Sequence, residues 1–211
     1  MHRRSLMAGA LMVLSGALAA AVPVGSVAVY SDGDVEKLIE STAQRKVWED
    51  DRKRRYVRSV NPILPVLERK DFLSGRGYRQ TVVKGQPDSL DSLNPGRHVE
   101  FSIQRVTHDG HTSVREWDCQ YLGKRQESVL SKGRMVQRYS CERFTIHRKL
   151  HNRVFRERRE FSYSEELGLV VDLNRTTTKK KTSRKLVALL PPKSASYKKV
   201  SALVRELRKG Q

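Results

Sequence analysis

Apolar and polar residues alternate along the middle of the chain. Val99, Phe101 and Ile103 are separated by single polar residues, and Trp117 and Cys119 continue the pattern beyond a turn. A period of two is typical of a β-strand with one buried face. Similar runs recur until a Pro-Pro pair ends them, so the pattern predicts an antiparallel β domain over residues 75–190.

The strand that contains Phe101 and the strand that contains Trp117 are joined by a short loop, and the length of this loop can be predicted from the strand register that each length would give. A two-residue Asp-Gly turn would bury carboxylates beside aromatic side chains. A three-residue loop over 108–110 instead pairs Phe101 with Trp117 and Val99 with Cys119. It also puts the glycine of the loop where such hairpins need a left-handed residue. We therefore predict the three-residue hairpin.

Glycines and a change of parity predict the next features. Turns at Gly123 and at 131–133 predict a short separate strand near 127–130. Apolar residues then occupy odd positions as far as Cys141 but even positions from Phe144 onwards. If every apolar residue faces the core, an extra residue must lie between these two, so a bulge is expected there.

The two ends of the chain predict helices. Residues 32–60 follow an Asp-Gly-Asp cap with one apolar stripe and then charge on every side, which predicts a charged helical lead-in. Residues 196–209 place Val200, Leu203 and Leu207 at helical spacing, which predicts a short amphipathic helix over one edge or mouth of the sheet. The expected fold is mainly β: a single curled antiparallel sheet or half-barrel of about eight strands, with an N-terminal helix and this C-terminal helix.

Residues 1–28 have the build of a secretory signal. Arg3 and Arg4 precede a long uncharged run that ends in small residues of the A-x-A type, such as 19–21. The alternative is a retained single-span anchor, because the run is long enough to cross a bilayer. Pro23 and the glycines make it a poor membrane helix, which favours cleavage. Either way, we expect the protein to be exported.

The charge of the chain indicates an acidic partner. Lys and Arg total 42 against 23 Asp and Glu, a formal net charge of +19. Such an excess creates a strong positive field that attracts polyanions. Export makes nucleic acid an unexpected partner, so the sequence favours an anionic envelope polymer or a membrane surface.

Export also affects how the two cysteines are interpreted. In an oxidising compartment, two cysteines of a small β domain usually pair. A Cys119–Cys141 disulfide would stabilise the fold by about 3 kcal/mol on a chain-entropy estimate. Free thiols are the alternative, and a short strand between the cysteines would oppose pairing because it would hold them about 10 Å apart.

Basic residues form a candidate patch for the anionic partner. Arg156 and Arg158 share one face of a predicted strand, while Lys179, Lys180 and Lys181 follow one another in a loop. A solvated face that serves solubility is the alternative interpretation.

Two motifs suggest chemistry but have simpler explanations. His108, Asp109 and His111 could hold a metal, yet no third ligand type stands at readable spacing and a polar hairpin tip explains them. Ser164 lies beside two glutamates, which would suit a hydrolase, but no base is in evidence and a turn explains the stretch. We expect no catalytic, metal or cofactor site.

The order of several turn and core motifs resembles a group of uncharacterised exported β-rich proteins of proteobacteria. The matching features are Asp91-Ser92-Leu93-Asn94-Pro95-Gly96, Trp117-x-Cys119, Gly133, Cys141 and Tyr163-Ser164-x-Glu166-Leu167-Gly168 before Val170-Val171. Arg134-Met135 and Glu165 depart from that pattern. The resemblance implies a strongly curled antiparallel sheet, broadly similar to the half-barrel of periplasmic lipoprotein carriers, in the envelope of a Gram-negative bacterium. It brings no catalytic residue with it.

These observations predict a non-enzymatic, exported envelope protein that binds or assists an anionic partner. One alternative is a carrier of an apolar, lipid-like ligand in the concave face of the sheet, where Phe101, Trp117, Tyr139 and Phe161 are expected. A hydrolase built on Ser164 or a histidine is the second alternative.

Overall fold

The computed structural model describes residues 22–90, 94–146 and 152–209. Twelve antiparallel strands form a closed barrel in which each strand pairs with its sequence neighbours and the first pairs with the last. The strands are β1 Val27–Tyr30, β2 Val35–Ser41, β3 Arg45–Asp50, β4 Arg54–Ser59, β5 Glu68–Asp71, β6 Gly77–Lys84, β7 His98–Thr107, β8 Thr112–Val129, β9 Lys132–Ile146, β10 Arg153–Ser164, β11 Leu169–Thr177 and β12 Lys181–Leu190. One α-helix, α1 Tyr197–Lys209, follows the barrel.

The sheet is therefore a closed barrel, and the predicted half-barrel of about eight strands is wrong. Val27 pairs with Leu190 and so joins the two ends of the sheet. Closure leaves no free strand edge between β1 and β12, because the backbone groups of both strands are paired. The β domain starts at Val27 rather than near residue 75.

The predicted N-terminal helix is also wrong, since residues 32–60 contain β2, β3 and β4. Leu38 pairs with Trp48, and Trp48 pairs with Tyr56, so one face of this three-stranded segment joins the core. Charged residues also lie on that inward face. The alternation of apolar and polar residues is therefore incomplete in the sequence, and the remaining apolar positions resemble the stripe of a helix. Charged side chains can face inward here because carboxylates pair with arginines.

Residues 1–21 of the predicted signal segment 1–28 lie outside the described residues. Of its last residues, Val27 and Ala28 belong to β1, and Ala28 is fully buried. No helix in the described part of the chain has the length and apolar character to cross a bilayer.

The hairpin of β7 and β8 has the predicted register. Phe101 pairs with Trp117 and Val99 with Cys119, and Gly110 has the expected positive φ of 79°. Gly123, by contrast, makes no turn: it lies inside β8 at a bulge with a φ of 98°. Strands β8 and β9 consequently form one long hairpin, and the short strand predicted between them does not exist.

The bulge that the sequence predicts in β9 lies in the neighbouring strand β10 instead. Pairing of β8 with β9 is regular through Trp117 and Arg143, whereas β10 shifts register between Phe155 and Glu157. Phe144 faces away from the core and meets Phe155 edge-on at 6.2 Å between ring centroids. The assumption that every aromatic residue faces inward caused the error, because Arg143 takes the interior position.

The predicted C-terminal helix is present as α1. It contacts β1, and its Arg208 reaches the β1–β2 turn at Gly33. Val29 points away from the interior residues Ala28 and Tyr30 of the same strand, yet it is fully buried. The helix therefore lies along the outer wall of the barrel rather than across its mouth.

Cys119 and Cys141 are directly opposite on β8 and β9 and form the predicted disulfide, with their Cα atoms 4.0 Å apart. Replacing both by alanine is expected to lower the free energy of unfolding by about 3 kcal/mol, because the unfolded chain loses a cross-link that closes a 22-residue separation. Urea unfolding measures the change. Reduced wild-type protein should unfold at a urea midpoint similar to that of the double alanine variant. A decrease in the free energy of unfolding of less than about 1 kcal/mol would contradict the prediction.

Candidate functional site

The two ends of the barrel differ in chemistry. The turns 31–34, 51–53, 72–76, 108–111 and 178–180 surround one end, which we call the arginine end. At the opposite end, Val22 and Leu167 join one apolar cluster and Ile63 joins the other. Apolar side chains therefore cover that end, and the charged interior positions lie towards the arginine end.

Nine arginines occupy interior positions, as the strand registers show, and all but Arg58 lie towards the arginine end; Arg58 pairs with Lys46 near the other end of β4. Arg115 pairs with the fully buried Ile103, Arg143 with Trp117, and Arg159 with Cys141. The full set is Arg54, Arg58, Arg69, Arg105, Arg115, Arg143, Arg159, Arg175 and Arg184. Three carboxylates share this inner face on the same registers: Glu36, Asp50 and Glu157.

Glu157 is the carboxylate with the most partners. It is 1% exposed and accepts hydrogen bonds from Arg159 at 2.7 Å and from Arg175, while Arg143 lies 3.2 Å away. Burial alone would raise the pKa of Glu157, but the neighbouring arginine charges outweigh burial and lower it to about 2. Glu157 is therefore a structural anion that neutralises part of the positive interior.

Glu36 and Asp50 pair with the arginines of β4 and β12. Arg58 donates two hydrogen bonds to Glu36 at 2.7 and 2.8 Å, and Arg184 donates one at 3.0 Å. Asp50 accepts hydrogen bonds from Arg54 at 2.6 Å. Burial would raise the pKa of Glu36, but the two arginines lower it to about 2. Six of the nine arginines thus have a carboxylate partner.

Arg69, Arg105 and Arg115 have none. Within the described ranges, no carboxylate lies within ion-pair distance of these three guanidinium groups, and the buried Nε atoms of Arg69 and Arg105 have no hydrogen-bond partner. Arg105 stacks on Tyr78 with its guanidinium carbon 3.7 Å from the ring centroid. The three form a cluster of uncompensated positive charge beside Tyr78, which we call the arginine cluster.

The arginine cluster is electrostatically strained. Burial, and then the charges of Arg105 and Arg143, lower the pKa of Arg115 to about 10. Burial also lowers the pKa of Arg105, and the charges of Arg69 and Arg143 add to the effect. With a pKa of about 10, Arg115 remains protonated at neutral pH. Because an anion would relieve both desolvation and repulsion, the arrangement suits a phosphate or carboxylate group.

The predicted basic patch is divided by the structure. Arg156 and Arg158 lie exposed on the outer wall, where Arg156 donates to Thr145 at 2.7 Å and Arg158 pairs with Glu142 at 2.8 Å. Lys179, Lys180 and Lys181 are exposed at the β11–β12 turn and the start of β12. The three lysines therefore stand at the rim of the arginine end, whereas the two arginines do not.

The four residues predicted to line an apolar face are core residues that fill the barrel. Phe101, Trp117, Tyr139 and Phe161 all belong to one buried cluster. Phe101 and Trp117 stack at 6.5 Å between ring centroids, and Tyr139 and Phe161 at 5.2 Å. An open cleft of about 400 Å³ touches Tyr139 and Phe161, but most of its lining residues are polar.

The motifs weighed for chemistry are parts of turns. Asp109 accepts hydrogen bonds from Thr107 and from the backbone of His111. Ser164 is fully buried, and its hydroxyl accepts a hydrogen bond from the Leu167 N–H at 3.3 Å. No group of three or more candidate metal ligands comes together among the described residues.

The sequence did not identify the arginine cluster. Arg115 stands in the same alternation as Trp117 and Cys119, so its parity indicated an inward position. Basic residues are normally assumed to face solvent, and the missing carboxylates become visible only when the barrel closes.

Comparisons by sequence found no match, whereas a comparison of structures found a similar chain. No protein-family model matches the chain, and no curated protein matches it by sequence. The solved crystal structure of the hypothetical lipoprotein YmcC from Escherichia coli K12 is similar at 9% identity and a TM-score of 0.49, over 79% of this chain and 86% of that one. The chain is β-rich and its cysteines are paired, as the sequence predicts; the turn motifs of the resemblance stay untested.

Proposed function

We propose that this is an exported, envelope-associated binding protein that holds an anionic group in the arginine cluster of its barrel. The observation that carries the proposal is that Arg69, Arg105 and Arg115 lie together with no carboxylate within ion-pair distance among the described residues. Half-buried cations without an ion-pair partner lose hydration and repel one another, so a negatively charged ligand best explains why the site keeps three of them.

The arrangement favours binding over catalysis. Guanidinium groups present planar forks of N–H donors that match phosphate and carboxylate oxygens. Ser164 is buried and both cysteines are in the disulfide, so none of these offers an accessible nucleophile. A net charge of +19 and the rim lysines would draw an anionic partner towards the mouth.

Export is supported by the sequence and by the disulfide. The uncharged run that ends near Ala21 is typical of a signal segment, and cleavage after Ala21 would leave Val22 and the whole of β1 in the mature chain. A buried disulfide suits the periplasm or another oxidising compartment. We place the protein in the envelope of a Gram-negative bacterium, where anionic polymers and lipids are available and nucleic acid is not.

Titration with inorganic pyrophosphate tests the proposal. We expect the double variant Arg105→Gln, Arg115→Gln to bind pyrophosphate at least about tenfold more weakly than the wild type in calorimetry, because two charge-assisted donors are lost. The control is Arg79→Gln, which removes one positive charge from the outer face of β6, where the Arg79 side chain is 75% exposed. Binding should also weaken from about 50 to about 300 mM salt.

A second measurement separates a binding role from a structural one. Because Arg115 is repelled by its neighbours, Arg115→Gln should raise the thermal midpoint of the ligand-free protein while it weakens binding. Equal pyrophosphate affinity in the wild type and the double variant would overturn the proposal. So would a lower thermal midpoint of Arg115→Gln, since it would assign Arg115 to the stability of the barrel.

A further inference from the structure

The β5–β6 hairpin presents an apolar tip at the arginine end. Its turn carries Phe72 and Leu73, which are 46% and 79% exposed. The carboxylate of Asp71 accepts hydrogen bonds from the N–H groups of Leu73 and Ser74, both at 3.0 Å, and the Asp71 N–H donates to the Arg76 carbonyl at 2.8 Å. The turn is therefore held in one conformation that projects its apolar side chains into solvent.

Cations surround this tip. The Arg55 guanidinium carbon lies 4.5 Å from the centroid of the Phe72 ring, and the Lys70 ammonium lies 4.9 Å from it. The Phe72 N–H donates to the Lys53 carbonyl, which joins the tip to the β3–β4 turn. Arg55 and Lys53 share Glu49 as partner, whereas Lys70 has no carboxylate partner among the described residues. The tip thus combines exposed apolar side chains with adjacent cations, the two features by which interfacial segments bind anionic membranes.

We propose that Phe72 and Leu73 insert into the surface of an anionic lipid bilayer, with Arg55, Lys70 and the rim lysines against its headgroups. The apolar side chains gain by leaving water, and each cation gains from the negative surface potential. Insertion turns the arginine end of the barrel towards the membrane. The inference deepens the proposed function, on which it rests for the role of the mouth, by naming its partner: the phosphate of a lipid headgroup.

The alternative partner, an anionic polymer, leaves the apolar tip unexplained. A polymer such as peptidoglycan could be attracted by the same cations, because electrostatic attraction does not distinguish the two. It offers no hydrocarbon in which Leu73 could be buried. The apolar tip therefore favours the bilayer, and the polymer becomes an outcome of the test.

Vesicle co-sedimentation tests the insertion. We expect the full chain to bind vesicles of phosphatidylglycerol and phosphatidylcholine but not phosphatidylcholine alone. Leu73→Glu should reduce the bound fraction at least about tenfold, because it places a carboxylate at the inserted position. The control is Val83→Glu, which makes the same type of change on β6 at a residue that is 52% exposed and lies towards the opposite end; it should change binding less than about twofold.

Fluorescence gives an independent readout. Both native tryptophans, Trp48 and Trp117, are buried at 1% and 2% exposure, so vesicles should leave their emission unchanged and the difference from the wild-type spectrum reports on an added tryptophan. Leu73→Trp should shift its emission to the blue with anionic vesicles and be quenched by brominated lipid, whereas Val83→Trp should not. Equal vesicle binding by Leu73→Glu and the wild type, or an unshifted Leu73→Trp, would overturn the inference.

The pyrophosphate titration keeps the two proposals apart. Leu73→Glu should bind pyrophosphate like the wild type, since Leu73 is outside the arginine cluster. If the protein inserted into vesicles but did not bind pyrophosphate, the proposed function would be overturned, whereas the inference that Phe72 and Leu73 insert into a bilayer would stand. Pyrophosphate binding without insertion, together with sedimentation on peptidoglycan that Leu73→Glu does not weaken, would overturn the membrane tip alone.

Discussion

Replacing Glu157 by alanine is expected to lower the free energy of unfolding by about 3–5 kcal/mol. The carboxylate is 1% exposed and is the shared partner of Arg143, Arg159 and Arg175. Its removal leaves three guanidinium groups close together with no anion among them, next to an arginine cluster that is already uncompensated. Urea unfolding followed by circular dichroism measures the loss.

Glu142→Ala is the matched control for this variant. Glu142 also pairs with an arginine, Arg158, but on the outer wall, where its side chain is 30% exposed. Exposed pairs contribute at most about 1 kcal/mol. If Glu157→Ala and Glu142→Ala unfolded within about 1 kcal/mol of each other, the interior pairs would not stabilise the barrel as we infer.

Stability is expected to fall steeply between about pH 5 and about pH 2. The pKa values of Glu36 and Glu157 are about 2 in the folded barrel, against 4.5 for an ordinary glutamate. A depressed folded pKa gives stability that is fully present above the unfolded pKa and is lost as pH falls through the folded one. Each carboxylate accounts for about 3 kcal/mol by this linkage.

Other carboxylates modify this profile. The pKa of Asp50 is also lowered, because hydrogen bonds from Arg54 and Tyr56 outweigh its burial, whereas burial raises the pKa values of Asp34 and Asp172 and so opposes the acid loss. Denaturant titrations at pH 7, 5, 4 and 3 measure the sum. Glu157→Gln should show a shallower slope than the wild type, since one titrating group is gone. A wild-type stability that stayed constant down to pH 3 would refute the assignment.

Short-range features of the fold could be predicted from the sequence. The register of Phe101 with Trp117 and helix α1 follow from alternation, loop length and helical spacing, which are signals that extend over a few residues and are complete in the sequence. The pairing of Cys119 with Cys141 was predicted from the expected oxidising compartment instead, and the separate strand that would have opposed it does not exist.

Closure of the barrel and the arginine cluster could not be predicted in the same way. Pairing of Val27 with Leu190 joins segments at opposite ends of the chain, and no local pattern specifies it. Arg143 and Glu157 face inward because each is the other's partner, so the rule that charge marks the outside failed for both. Arg105 is assigned to the site because no carboxylate pairs with it among the described residues. The absence of a partner can be recognised only from the three-dimensional structure.

The four-residue strand β1 is the link that closes the wall, and its displacement would have a double effect. Losing it would free one side of β2 and one side of β12 at once, because β1 pairs with both. Two such unpaired edges are complementary to a β1 supplied by another molecule. The same short strand therefore keeps two edges of the sheet covered at once, and both would be exposed together if it were lost.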